Sequence, residues 1–268
     1  MDPLETGMST DMGTGADPAA RIRVAAAGDV HADASRRADL EAAFSSLRGE
    51  ADLVLLAGDL TRRGEPDEVQ VVADASKLAE LPVFGVLGNH DWHSNRADEL
   101  VAAMEEAGVT MLDRSWATCQ IDDTSVGIVG TKGFVGGFPG SHLPDFGEPL
   151  LREVYAETGR EVAAIDQGLR ATAGCDFRIV LLHYSPTLMT LEGERPEIAA
   201  FLGCDRLAYP IADHGPDLVL HGHAHAGRFD GTIGTVPVFN VALPMKREFW
   251  LFELSADRPR APEYALIG

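Results

Sequence analysis

Apolar residues in this chain follow two rhythms that alternate through its first half. Ile22–Ala27, Leu53–Ala57 and Val83–Leu87 are short continuous apolar runs. Continuous runs of that length predict strands buried on both faces. Between them, Arg36–Arg48 carries Leu40, Ala43, Phe44 and Leu47 at helical spacing and stops at Gly49. Asp67–Leu81 repeats the spacing with Val71, Val72, Ala75, Leu78 and Ala79, opens on acidic residues and ends before Pro82. Arg96–Ala107 is a third such segment, closed by Gly108. Acidic starts and glycine or proline stops are the usual helix punctuation. A strand–helix alternation of this kind predicts parallel strands with helices packed outside them.

The middle of the chain changes character. Trp116–Ile121 and Ser125–Thr131 flank Asp122-Asp123-Thr124, a hairpin signal that adds antiparallel pairing. Residues 133–147, rich in Gly and Pro, exceed a plain connection and are expected to form a lid or binding loop. Leu150–Ala173 reads as one long helix with a break at Gly159. Ile179–Leu182 and Leu218–Leu220 are again buried-strand runs, separated by an irregular stretch and a short helix near Arg206–Ala212. Val236–Val241, Phe249–Leu254 and Tyr264–Ile267 return to strands.

Polar clusters follow the apolar runs in a fixed order. They are Asp29-Val30-His31, Gly58-Asp59, Gly88-Asn89-His90-Asp91, His183 and Gly222-His223-Ala224-His225. Carboxylate, imidazole and amide oxygen without thiolate suit Mn, Fe, Co or Zn. Alternate residues of an extended segment point the same way, so Asp29 and His31 can approach one ion together. Seven ligands exceed one tetrahedral site with an open position and suit two ions sharing a carboxylate. Paired metals are a known device for displacement at phosphorus.

The ordered set D-x-H, G-D, G-N-H-D, H and G-H-x-H resembles the signature of the calcineurin-like metallophosphoesterase superfamily, across roughly residues 22–243. The resemblance implies an α/β fold, a four-layer α/β/β/α sandwich of two mixed sheets flanked by helices. It implies two divalent or trivalent ions per chain. Asp29, His31, Asp59 and His225 would hold one ion; Asp59, Asn89, His183 and His223 would hold the other, with Asp59 shared. By the same resemblance His90 contacts the phosphoryl oxygens or protonates the leaving group, and Asp91 is the carboxylate that orients it. The implied reaction is attack of a metal-bridging hydroxide on a phosphate ester. Gly58–Gly64, G-D-L-T-R-R-G, resembles the G-D-x-x-D-R-G block of the protein phosphatase branch, with Arg62 in place of its aspartate. Arg63 then falls at a phosphate-binding position, the alternative being a solvated loop arginine. His142, in the 133–147 loop, is a further candidate substrate ligand. His221 is expected to be a supporting or core histidine, and Asn240 to anchor a turn near the site.

Charge and cysteine content narrow the partners. The 268 residues carry a formal net charge of −20, a field that repels nucleic acid and anionic membrane. Only Lys77, Lys132 and Lys246 are lysines, so specific nucleic-acid binding and a DNA-repair nuclease role are not expected. The partner expected is a small phosphate ester. Cys119, Cys175 and Cys204 are isolated and odd in number, which points to a reducing, cytoplasmic location. Residues 1–20 lack periodicity and an apolar core and are expected to be a disordered leader, not a signal peptide. Residues 21–268 are expected to form one domain with no membrane span. Phosphodiesters are the favoured substrates. Phosphomonoester or protein Ser/Thr phosphatase activity is the alternative, and a catalytically silent binding scaffold is the alternative of another class.

Overall fold

The structure, a computed structural model, describes residues 20–242, 248–257 and 262–267. The expected leader lies outside the described residues except for Ala20. Strands β1 (Arg21–Ala27), β2 (Leu53–Ala57), β3 (Val83–Val86) and β4 (Val109–Met111) run parallel in one sheet. A second sheet takes β5 (Ser115–Ile121), β6 (Thr124–Gly130), β7 (Phe177–Leu181), β8 (Leu218–His221), β9 (Asp230–Ile233) and β10 (Val236–Asn240), in the order β5-β6-β7-β8-β10-β9. Its edge strands β5 and β9 are antiparallel to their neighbours. The tail returns to the first sheet as β11 (Phe249–Ser255) and β12 (Glu263–Ile267), giving the order β12-β11-β1-β2-β3-β4.

Helices α1 (Arg37–Ser46), α2 (Pro66–Ser76) and α3 (Ala97–Glu106) cover the outer face of the first sheet. Helix α4 (Pro149–Ala171) and α6 (Ala208–His214) cover the second; a short α5 (Ala199–Leu202) lies between them in the chain. The central strands read as unbroken apolar runs because both faces are buried. Val54 and Leu56 of β2 pack outward with Phe44, Val72 and Leu100, while Leu53 and Leu55 pack inward with Ile128, Ile179 and Leu220 of the facing sheet. Val180 and Val219 face outward onto Ile165, Leu169 and Ile211. The result is the four-layer α/β/β/α sandwich of two mixed sheets.

Three differences from the sequence reading have local causes. The expected helix over Asp67–Leu81 ends at Ser76, continues as a 3-10 turn over Lys77–Ala79, and stops where Glu80 turns left-handed at φ 56° before Pro82. Helix α4 passes through Gly159 without the expected break. There Arg206 lies across it, stacked at 3.9 Å on the Tyr155 ring and donating to the Tyr155 carbonyl at 3.1 Å. Strands β4 and β9 were not expected; both are short and join a sheet edge.

Candidate metal centre

Parallel strands of both sheets deliver their C-terminal ends to one edge, the usual place for a site in such folds. Asp29 follows β1, Asp59 follows β2, Asn89 follows β3, His183 follows β7 and His223 follows β8. Four of the expected ligands leave their strands with left-handed backbone: Asp29 at φ 57°, His31 at 44°, Asp59 at 50° and His223 at 70°. Such conformations cost about 1–3 kcal/mol each and gather where function over-determines the backbone. Two motif glycines are explained by close approach. A Cβ at Gly88 would collide with the Asp59 carboxylate, and one at Gly222 with the Asp29 carboxylate.

Three sets of side chains converge: Asp29 with His31 and His225; His31 with Asp59 and His90; and Asp59 with His183 and His223. Asp59 and His31 are each shared between two sets. Asp59 Oδ1 accepts from the His90 amide at 2.8 Å and lies 3.4 Å from His183 Nε2. Its Oδ2 lies 3.8 Å from His31 Nε2 and 3.9 Å from His90 Nε2. Asp29 Oδ2 accepts from the His223 amide at 2.7 Å, and Oδ1 is 2.7 Å from His225 Nε2. Asn89 joins through its Oδ1, 2.8 Å from His183 Nε2.

Burial fixes the protonation of this cluster. It pushes the Asp59 carboxyl up to about 9, with the charges of Asp29 and Asp91 acting in the same direction. Burial pulls His31 down to about 4, and His183 and His223 to about 3. These three rings are therefore neutral at pH 7, each with a lone pair to give. His225 is raised instead, by its hydrogen bond to Asp29.

The side chains fit a pair of divalent cations on three counts. His31 Nε2 is buried without a hydrogen-bond partner, aimed between Asp29 and Asp59. Such an orphan is rare and demands a reason. His183 donates from Nδ1 to the Ala57 carbonyl at 3.0 Å, so its Nε2 lone pair faces the Asn89 oxygen, acceptor against acceptor. Finally, the Asp29 and Asp59 carboxyl groups among neutral imidazoles form a hard oxygen and nitrogen donor set, from which a cation would displace the Asp59 proton.

His90 sits beside this cluster, half-exposed, its ring centroid 4.6 Å from that of His31. The expected contact with Asp91 is not made. His90 Nδ1 instead donates to the Arg62 carbonyl at 2.9 Å, which leaves Nε2 facing the centre. Asp91 is fully buried and turned into the loops. It accepts from the Leu60 and Thr61 amides at 3.1 and 2.8 Å, the Thr61 hydroxyl at 2.6 Å and the Gly88 amide at 2.8 Å. It therefore splints the Asp59 loop to the Asn89 loop and does not orient His90. Neither expected substrate ligand joins the cluster. Arg63 is exposed and held by its backbone to Glu68, and Arg62 pairs with Asp33 at 3.3 Å. His142 is turned to Asp205 at 2.9 Å.

The supporting roles expected of His221 and Asn240 are observed. His221 is fully buried between the Gly222 carbonyl and the Thr190 hydroxyl, both at 2.8 Å. Asn240 donates to the Ala224 carbonyl at 2.7 Å, pinning the residue between His223 and His225. Sequence reasoning missed Tyr184, whose ring is 4.6 Å from His223 and 5.4 Å from His183. Its position directly after His183 was the available signal. Lys132 was missed as well; its ammonium lies 4.3 Å from the Phe134 ring and 5.3 Å from the Tyr184 ring.

The sequence profile of the calcineurin-like phosphoesterases matches residues 22–227, a span that contains every one of these clusters. The chain belongs to that family. Comparison with curated protein sequences found no match. Among solved structures, a Thermus thermophilus protein superposes with a TM-score of 0.60 at 16% identity, over 92% of this chain and 99% of that one. The phosphopantetheinyl hydrolase PptH of Mycobacterium tuberculosis gives 0.57 at 16% identity, over 95% and 97%. GAP50, the anchor in the inner membrane complex of Plasmodium, gives 0.61 at 13% identity, over 92% and 84%. At these identities the likeness shows the phosphoesterase fold alone. Calcineurin-like phosphoesterases are typically metal-dependent hydrolases. Among the described residues no helix is long and apolar enough to cross a membrane.

Proposed function

We propose that this calcineurin-like phosphoesterase hydrolyses phosphate esters, phosphodiesters preferentially, with two divalent cations. Asp29, His31, Asp59 and His225 hold one cation; Asp59, Asn89, His183 and His223 hold the other. The observation that carries this reading is the orphaned His31 Nε2, buried between two carboxylates. Bound there, the cations supply Lewis acidity toward phosphoryl oxygens and lower the pKa of water.

The chain's own residues contribute position and proton transfer. His90, anchored by its Nδ1 proton to the Arg62 carbonyl, turns Nε2 to the departing ester oxygen and, as imidazolium, delivers the Nε2 proton there, a role worth about 10²–10⁴ in rate. Asp91 fixes the spacing of the two loops that carry Asp59, Asn89 and His90. The diester preference is supported by the broken D-R-G block: the Arg62 guanidinium pairs with Asp33, and Arg63 is exposed and held by its amide to Glu68. The test is a panel of chromogenic mono- and diesters on protein reconstituted separately with Mn²⁺, Fe²⁺ and Zn²⁺. Turnover of diesters above monoesters is expected. Bound metal with no turnover of any ester refutes the reading and favours a silent scaffold.

A further inference from the structure

Beside the metal centre lies an open cleft of about 510 Å³, within the size range of small-molecule sites. Its walls come from Phe138–Ser141 of the 133–147 loop, from Leu188 and Leu191, and from Ala199 at the start of α5. The floor is physically joined to the centre. Phe138, Leu191 and Ala199 pack in one buried cluster with Ala224, the residue between His223 and His225. On the same side, the Phe201 carbonyl of α5 accepts from His223 Nε2 at 3.2 Å, and Glu194 accepts from the Ala226 amide at 2.7 Å. Cleft and centre therefore share the 222–226 loop.

Three charged side chains line the cleft, Glu192, Glu194 and Arg195. Glu192 faces Arg228 at 3.3 Å, and Glu194 is occupied by the Ala226 amide. Arg195 is exposed on the cleft wall, and its guanidinium has no ion pair or hydrogen bond among the described residues. A free planar guanidinium over an apolar trough suits a carboxylate or phosphate carried on an apolar stem.

We propose that this cleft receives the organic part of the ester substrate, with Arg195 holding an anionic group on it. The inference rests on the phosphoesterase reading and names its substrate class, an ester with an elongated apolar moiety that carries a second negative charge.

The test uses p-nitrophenyl phosphodiesters whose second group is methyl, octyl or 7-carboxyheptyl, on the Mn²⁺-loaded full chain. Wild type is expected to favour octyl over methyl by about tenfold in kcat/KM, and carboxyheptyl over octyl by about tenfold again. Arg195→Gln should bring the carboxyheptyl-to-octyl ratio near one, with Arg195→Lys retaining part of it. Ser141→Trp, which fills the trough from an exposed position, should collapse the octyl-to-methyl ratio. Calorimetry of 7-carboxyheptyl phosphate against methyl phosphate on Zn²⁺-loaded protein reads the same preference without turnover. Equal kcat/KM for the three esters, or equal affinity for the two phosphates, overturns the cleft assignment. Loss of all turnover with the calorimetric preference intact would instead refute the phosphoesterase reading and leave the cleft standing.

Discussion

Asp59→Asn separates what the buried carboxylate costs the fold from what it does for metal binding. Asp59 is 1% exposed, and burial together with Asp29 and Asp91 pushes its carboxyl up to about 9. A group raised on folding contributes stability that is present below its unfolded value and lost as pH rises to the folded value. The unfolded value is about 4, so by pH 7 about three units have been lost. That corresponds to about 4 kcal/mol as an upper bound. Water entry and movement of Asp29 reduce it, and about 2 kcal/mol is the working figure. Asparagine fits the pocket electrostatically. Its oxygen can keep accepting from the His90 amide, and its amide can donate toward the neutral ring nitrogen of His31, 3.8 Å from the present Oδ2. The metal-free variant should therefore be more stable than wild type at pH 7, with Tm higher by about 5 °C and the gap closing toward pH 4. Adding Mn²⁺ should reverse the order, because wild type gains a bridging ligand that the variant lacks. Thermal and urea unfolding in chelator and in excess Mn²⁺ read both halves. A metal-free variant no more stable than wild type, or one with an unchanged Mn²⁺ response, refutes the argument.

Other expectations follow from the same geometry. Acidification should still destabilise the metal-free protein, because His31, His183 and His223 are lowered from their usual 6.5. A lowered histidine contributes stability present above its unfolded value and lost as pH falls; three of them lose about 4 kcal/mol per unit below pH 6.5, Asp59 returns about 1.4, and about 3 kcal/mol per unit is the net upper bound; a flat profile from pH 6.5 to 4.5 would contradict the burial of neutral rings. Gly88→Ala should weaken metal binding about 10–100-fold, by calorimetry, through displacement of the Asp59 carboxylate. Asp91→Ala should cost about 3 kcal/mol in urea unfolding, since it leaves the Leu60, Thr61 and Gly88 amides without their acceptor. In His90→Ala, kcat should fall about 10²–10⁴-fold while metal stoichiometry measured by elemental analysis stays at the wild-type value.

The strands that carry the ligands were legible because burial on both faces writes itself as unbroken apolar runs, as in Leu53–Ala57 and Ile179–Leu182. Their convergence was legible because each run is followed by a polar ligand where parallel strands end together. Short edge strands left no such trace: β9 begins with Asp230 and Gly231, and β4 has three residues. The partner of His90 was hidden for a different reason. It is a backbone carbonyl, Arg62, twenty-eight positions away, and every residue type offers one. Adjacency misled in the case of Asp91, because the 3-10 turn over His90–Trp92 sends neighbouring side chains in opposite directions, one to the cluster and one into the loops. His142 and Asp205 meet across 63 positions through the second sheet's connections, a pairing that no local pattern encodes.

Anomalous X-ray diffraction from Mn²⁺-loaded crystals bears most directly on the account. Two peaks per chain are predicted, both within coordinating distance of the Asp59 carboxylate, one also beside His31 and His225 and the other beside Asn89, His183 and His223. A single peak, or two peaks that do not share Asp59, would contradict it.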